Sequence, residues 1–138
     1  MFNEHTPKQG SLLLSEPFML DPNFERSVVL LCEHNEDGTV GMVLNHRSQL
    51  LLSDVMDVEV VDFPLYIGGP VQNNAIFFLH RAFDKIADGM PIFQDVYWGG
   101  DFDLAITLIN EGLLSTDEIK FFLGYSGWAE GQLNDEIN

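Results

Sequence analysis

The residues of this chain best suited to chemistry are a serine set among glycines and two histidines that end apolar runs. Gly124-Tyr125-Ser126-Gly127-Trp128 nearly spells the Gly-x-Ser-x-Gly turn that exposes a nucleophilic serine, but it places Trp128 where the second glycine belongs. Ser126 therefore has two readings at a predicted strand-to-helix turn: a nucleophile served by His34 or His80 as base, or a turn and capping residue. The capping reading carries more weight, since the motif is incomplete and a histidine at a strand end is usually held structurally.

Other chemistries find less to work with. His5, His34, His46 and His80 share no zinc-ligand spacing, so neither a metal nor a cofactor is expected. Gly68-Gly69-Pro70 lacks the Lys and Ser/Thr of a phosphate loop, and its proline removes a donor; a tight turn is predicted instead. Gly99-Gly100-Asp101 opens a helix, but Asp101 itself stands where an anion would bind. Polar groups at strand ends flanked by aromatics suit a small pocket, so Glu33, His34 and Asn45 are expected to meet the glycine bends at Gly68, Gly69 and Gly124 to Trp128. Trp98 and Trp128 read as core residues ahead of pocket walls. Arg26, directly before an apolar strand, is expected to pair with Asp21 or Glu33.

The elements that must position these residues begin as short strands: Ser11 to Ser15, Ser27 to Glu33, Thr39 to Leu44, Val58 to Val61, Leu65 to Ile67 and Ala75 to Leu79. Turn residues such as Asn35-Glu36-Asp37-Gly38 separate them, and Ser27 to Leu44 reads as a hairpin. Val28 to Leu31 are apolar at every position, which predicts a central strand covered on both faces. A short helix is expected from an N-cap at Ser53. A longer one is expected after Asp101, where Phe102, Ala105, Ile106, Ile109 and Leu113 recur at helical spacing and Gly112 marks the end. Ile119 to Leu123 reads as a strand, and Trp128 to Ile137 as a helix. Strands first and helices later favour α+β over a doubly wound sheet.

With 138 residues and 16 aromatics (Phe 11, Trp 2, Tyr 3), the chain is expected to fold as one domain, 1–138, behind a flexible arm at 1–9. The formal charge of -16, from 6 basic and 22 acidic residues, opposes direct nucleic-acid binding. A lone Cys32 inside an apolar run implies a buried thiol and a reducing, cytoplasmic setting. No signal peptide or membrane span is expected, since no apolar run approaches the required length.

Several ordered strings together resemble the AlgH/YqgE family: Gly10 to Pro17, Phe24 to Val29, Glu33-His34, Gly41 to Asn45, Tyr66 to Val71, Phe78 to His80, Gly99 to Asp101, Gly124 to Trp128 and Gly131 to Leu133. The resemblance spans Gly10 to Glu136 and implies a mixed, largely antiparallel sheet curled into a barrel-like body with flanking helices. It supplies no catalytic residues to carry over, and a transcriptional-regulator label attaches to some members. Relatives usually continue beyond the segment matching Trp128 to Ile137, so a sheet edge or pocket wall is expected to be missing here. The leading functional expectation is a non-enzymatic binding or regulatory protein acting through a protein or small-molecule partner, with a Ser126 hydrolase and a transcriptional regulator as alternatives.

Overall fold

Val28 to Leu31 behave as their unbroken apolarity demands. In the computed structural model, which describes residues 8–14 and 27–129, this run begins β2 (Val28–Asn35), flanked by β1 (Leu12–Leu14) and β3 (Gly38–Val43). Val29 and Leu31 face one cluster with Leu13, Val43 and Trp128, while Leu30 and Cys32 face another with Met42, Leu79, Ile92 and Phe122. A bulge between Leu31 and Glu33 then sets Cys32 and Glu33 against Val40 alone, shifting the facing pattern before His34.

The chain continues through β4 (Arg47–Leu51), α1 (Leu52–Val55), β5 (Pro64–Ile67), β6 (Val71–His80), α2 (Phe83–Ile86), β7 (Met90–Phe93), β8 (Val96–Trp98), α3 (Phe102–Asn110) and β9 (Ile119–Ala129). The main path of the sheet runs β1-β2-β3-β9-β6-β8-β7, antiparallel at every step. β4 and β5 form a side ribbon, attached where β5 lies parallel to β9. The sheet curls so far that its two ends meet. Gln9, just before β1, donates from Nε2 to the carbonyls of Pro91 at 2.9 Å and Ile92 at 3.3 Å in β7. The result is an α+β body with a curled, barrel-like sheet.

Strand alternation divides the core. Phe122 points into the curl with Leu30, Met42 and Leu79, whereas Phe121 points outward beneath α3, against Phe78, Leu65, Ala105, Ile106 and Ile109. Asp101 caps α3 by accepting the Leu104 N–H at 3.0 Å, as its sequence predicts. The same helix ends at Gly112 (φ +76), where the Leu113 N–H reaches back to the Leu108 carbonyl.

Four local expectations are corrected. Val58 to Val61 form no strand, because Asn110 of α3 supplies the missing partners: its Oδ1 accepts from Val61 N–H and its Nδ2 donates to Glu59 O. The cap of α1 is Leu51, whose N–H donates to the Asp54 carboxylate, while Ser53 lies inside the turn and bonds Asp62. Gly68-Gly69 is not a tight turn, and Gly124 to Gly127 is not a strand-to-helix turn; the strand runs straight on through Trp128 and Ala129. The remainder of the predicted terminal helix, and both Arg26 and Asp21, lie outside the described residues.

Candidate functional site

β9 is the longest strand described, and the glycines explain how its two edges are used. One edge pairs with β6, from Ile119 to Tyr125. The other pairs first with β5, at Phe121 to Leu123, and then with β3, at Ser126 to Ala129. Between β5 and β6 the chain must therefore cross β9, and it does so at Gly68-Gly69-Pro70 over Gly124 and Tyr125. A Cβ on Gly68 or Gly69 would collide with the Gly124 carbonyl or the Tyr125 backbone; one on Gly124 (φ +70) would meet the Gly69 carbonyl. The Gly68 carbonyl accepts from Val43 N–H at 2.9 Å and from the Ser126 hydroxyl at 3.1 Å. Ser126 is fully buried in this joint.

The histidines expected beside Ser126 stand elsewhere. His80 pairs with Ile119, seven residues along β9 and so on the order of 23 Å away. It is buried, its Nδ1 accepting from Ala82 N–H at 3.2 Å and its Nε2 donating to the Asp88 carbonyl at 2.8 Å, with its ring stacked on Tyr97. Those bonds fix its tautomer and occupy both nitrogens. His34 sits two strands from β9, roughly 10 Å across the sheet, with Nδ1 2.5 Å from the Thr39 hydroxyl. Among the described residues, Ser126 thus makes no hydrogen bond to a histidine of the kind a hydrolase would use.

The expected polar pocket is likewise divided. Glu33 and Trp128 do share a shallow groove of ≈ 340 Å³, with Asn35, Asp37, Thr39 and Tyr125. Trp128 is nevertheless 4% exposed and packs mainly against Leu13, Val29, Leu31 and Val43. Asn45 lies at the other end of the hairpin, roughly 20 Å from His34 along β2, where its Oδ1 accepts from Val28 N–H. Gly68 and Gly69 are consumed by the strand crossing.

The larger cavity lies at the mouth of the curl. A cleft of ≈ 670 Å³ opens there, walled by Leu12, Leu30, Leu44, Leu79, Phe93 and Val96 and rimmed by Arg81, Asp117 and Glu118. Lys120 points into it, because the register sets Lys120 opposite Leu79 and on the same face as Phe122. Its Nζ donates to the Leu44 carbonyl at 2.9 Å and stands 4.1 Å from the centroid of the Tyr66 ring. Tyr66 is held on β5 beside Phe122, with the Arg47 guanidinium also over its ring and tied to three backbone carbonyls. Burial holds the Lys120 amine below its ordinary 10.5. At the rim, Lys85 bridges Glu118 at 2.7 Å and, with the Ser115 N–H, holds that carboxyl below the usual range. Burial pushes the Cys32 thiol up to about 12, so it serves as packing inside the curl.

Neither Lys120 nor Tyr66 stands out in the sequence. A lysine inside Ile119 to Leu123 reads as the solvent side of a half-buried strand. The available signal was that its neighbours at both parities, Ile119, Phe121, Phe122 and Leu123, are apolar, leaving no evident wet face.

A curled, largely antiparallel sheet with helices on one flank and an open mouth defines an α+β protein with a cleft at one end of its barrel-like body. The chain belongs to the AlgH-like family (DUF179), whose model matches residues 12–138. It is similar to a UPF0301 protein of Cytophaga hutchinsonii, 47% identical over 131 residues, covering 94% of this chain and 72% of that one. A UPF0301 protein of Parabacteroides distasonis is 46% identical over 138 residues, covering 98% and 70%. Among solved structures, the AlgH protein of Pseudomonas aeruginosa shares the fold with a TM-score of 0.73 and 30% identity, over 97% of this chain and 75% of that one. A crystal structure of a Corynebacterium diphtheriae protein matches with a TM-score of 0.78 and 25% identity, over 98% and 73%. Among the described residues, no helix is long and apolar enough to cross a membrane.

Proposed function

We propose that this protein is a cytoplasmic, non-enzymatic binding protein that holds a small organic molecule in the cleft at the mouth of its curled sheet. The observation that carries this reading is the cleft itself: ≈ 670 Å³, walled by aliphatic and aromatic side chains, with one amine directed inward. That volume and lining match small-molecule sites, in which apolar walls supply affinity and few polar groups supply orientation. Ser126, His34 and His80 support binding rather than hydrolysis, since each is engaged in an internal hydrogen bond. The charge of -16 speaks against action through DNA and for action through a ligand.

The test is a thermal-shift screen of metabolites against the wild-type chain and Val96→Trp, which fills the cleft from β8. A ligand at about 100 times its Kd stabilises the native state by about 2.7 kcal/mol, enough to see. A hit should lose its shift in Val96→Trp. A hit that keeps its full shift in that variant would put the ligand elsewhere.

A further inference from the structure

The chain carries 22 acidic residues, yet among the described residues Lys120 has no carboxylate partner within the cleft. Lys120 is half-buried, its amine partly desolvated and held only by a carbonyl and a ring, whereas a carboxylate is the usual partner of a charge withdrawn from water. Lys85 shows the ordinary solution a short distance away, at the exposed rim, where it bridges Glu118 at 2.7 Å. Resting on the cleft reading above, we infer that the ligand is an amphipathic molecule with a single negative charge, its carboxylate-like head on Lys120 Nζ and its apolar body along Leu30, Leu44, Leu79 and Val96.

Hydrogen-bond counting supports the head group. An ammonium has three N–H donors. In Lys120 one goes to the Leu44 carbonyl and a second faces the Tyr66 ring, leaving one for an incoming acceptor. A charge-assisted bond to an oxyanion is the strongest use of that donor. The surroundings favour a single charge. Arg81, Asp117 and Glu118 share the rim, Glu118 already bridged by Lys85, so among the lining residues Lys120 is the cation directed inward, and the net charge of -16 repels each further negative charge on approach. Nucleotides and other polyphosphates are therefore disfavoured, while a short fatty acid or aryl acid fits both the amine and the walls. Burial lowers the amine's proton affinity, and a bound anion would raise it again.

The experiment titrates three eight-carbon probes, octanoate, octanol and suberate, into the wild-type chain, Lys120→Met, Lys120→Arg and Val96→Trp by calorimetry. Octanoate should bind the wild type and lose about tenfold or more in affinity in Lys120→Met, with Lys120→Arg restoring most of it. Octanol should bind more weakly and equally well to wild type and Lys120→Met, and suberate more weakly than octanoate. Equal octanoate affinity in wild type and Lys120→Met, or octanol binding without octanoate binding, would overturn the anionic head group while leaving the cleft reading intact. Suberate binding as tightly as octanoate would overturn the single charge. Binding of neither octanoate nor octanol, or octanoate binding that survives Val96→Trp, would remove the cleft reading and this one with it.

Discussion

The two ends of β9 make opposite use of their residues. At one end, Gly124-Tyr125-Ser126-Gly127-Trp128 has the composition of an active-site turn, and three of its residues have packing roles: Gly124 admits the crossing chain, Ser126 ties the Gly68 carbonyl, and Trp128 closes a small core. At the other end, Lys120 sits in an undistinguished run and is delivered into the cleft at the mouth of the curl, without a carboxylate partner among the described residues. Glycine and serine beside an aromatic describe how closely backbones approach as readily as they describe catalysis. A lysine gains chemical meaning from what is missing around it.

This contrast can be broken from either end. The largest effect is expected for Gly124→Ala, where a side chain must adopt φ +70 and meet the Gly69 and Val71 carbonyls. Strain and overpacking, each roughly 1–3 kcal/mol, should together cost about 4 kcal/mol in a denaturant titration. A loss below about 1 kcal/mol, little more than the helix-propensity scale of such a change, would mean that β5 and β6 do not cross there.

Ser126→Ala should cost about 1 kcal/mol, the ordinary net value of one hydrogen bond, because Val43 N–H still serves the Gly68 carbonyl. Ligand affinity in the cleft should be unchanged. A variant of normal stability that lost a ligand or an activity would return Ser126 to the functional site.

The smallest effect concerns pH and Lys120. Its amine is lowered in the native state, so between that lowered value and 10.5 the unfolded chain binds more protons than the folded one. Stability contributed at this position should therefore rise with pH across that window, and the wild type should gain on Lys120→Met as pH increases toward 10.5. Urea titrations of both proteins at several alkaline pH values measure the difference. A gap that stays flat would show that Lys120 is better solvated than its position in the cleft implies, and one that moves the other way that a nearby anion stabilises its charge.

Much of the scaffold was legible. The hairpin from Ser27 to Leu44 followed from turn residues between two apolar runs, and α3 followed from its spacing and the Asp101 cap. β4, β7 and β8 carry little strand signal in the sequence, since Arg47-Ser48-Gln49 is polar, Pro91 interrupts β7, and β8 spans three residues. Short polar strands exist only because a neighbour pairs with them. Val58 to Val61 erred in the reverse sense: β-branched residues suggested a strand, and the side chain of Asn110 took the backbone partners a ladder would have used.

By itself the sequence determined the α+β class, the two-faced burial of β2 and the acidic surface, because periodicity, capping and net charge are local or additive properties. Tertiary structure alone decided which polar residues matter. Whether a serine meets a histidine, a glycine admits a crossing chain or a lysine finds a carboxylate depends on which strands become neighbours. In this sheet those neighbours, Gly68 over Gly124 and Leu79 beside Lys120, lie tens of residues apart in the chain.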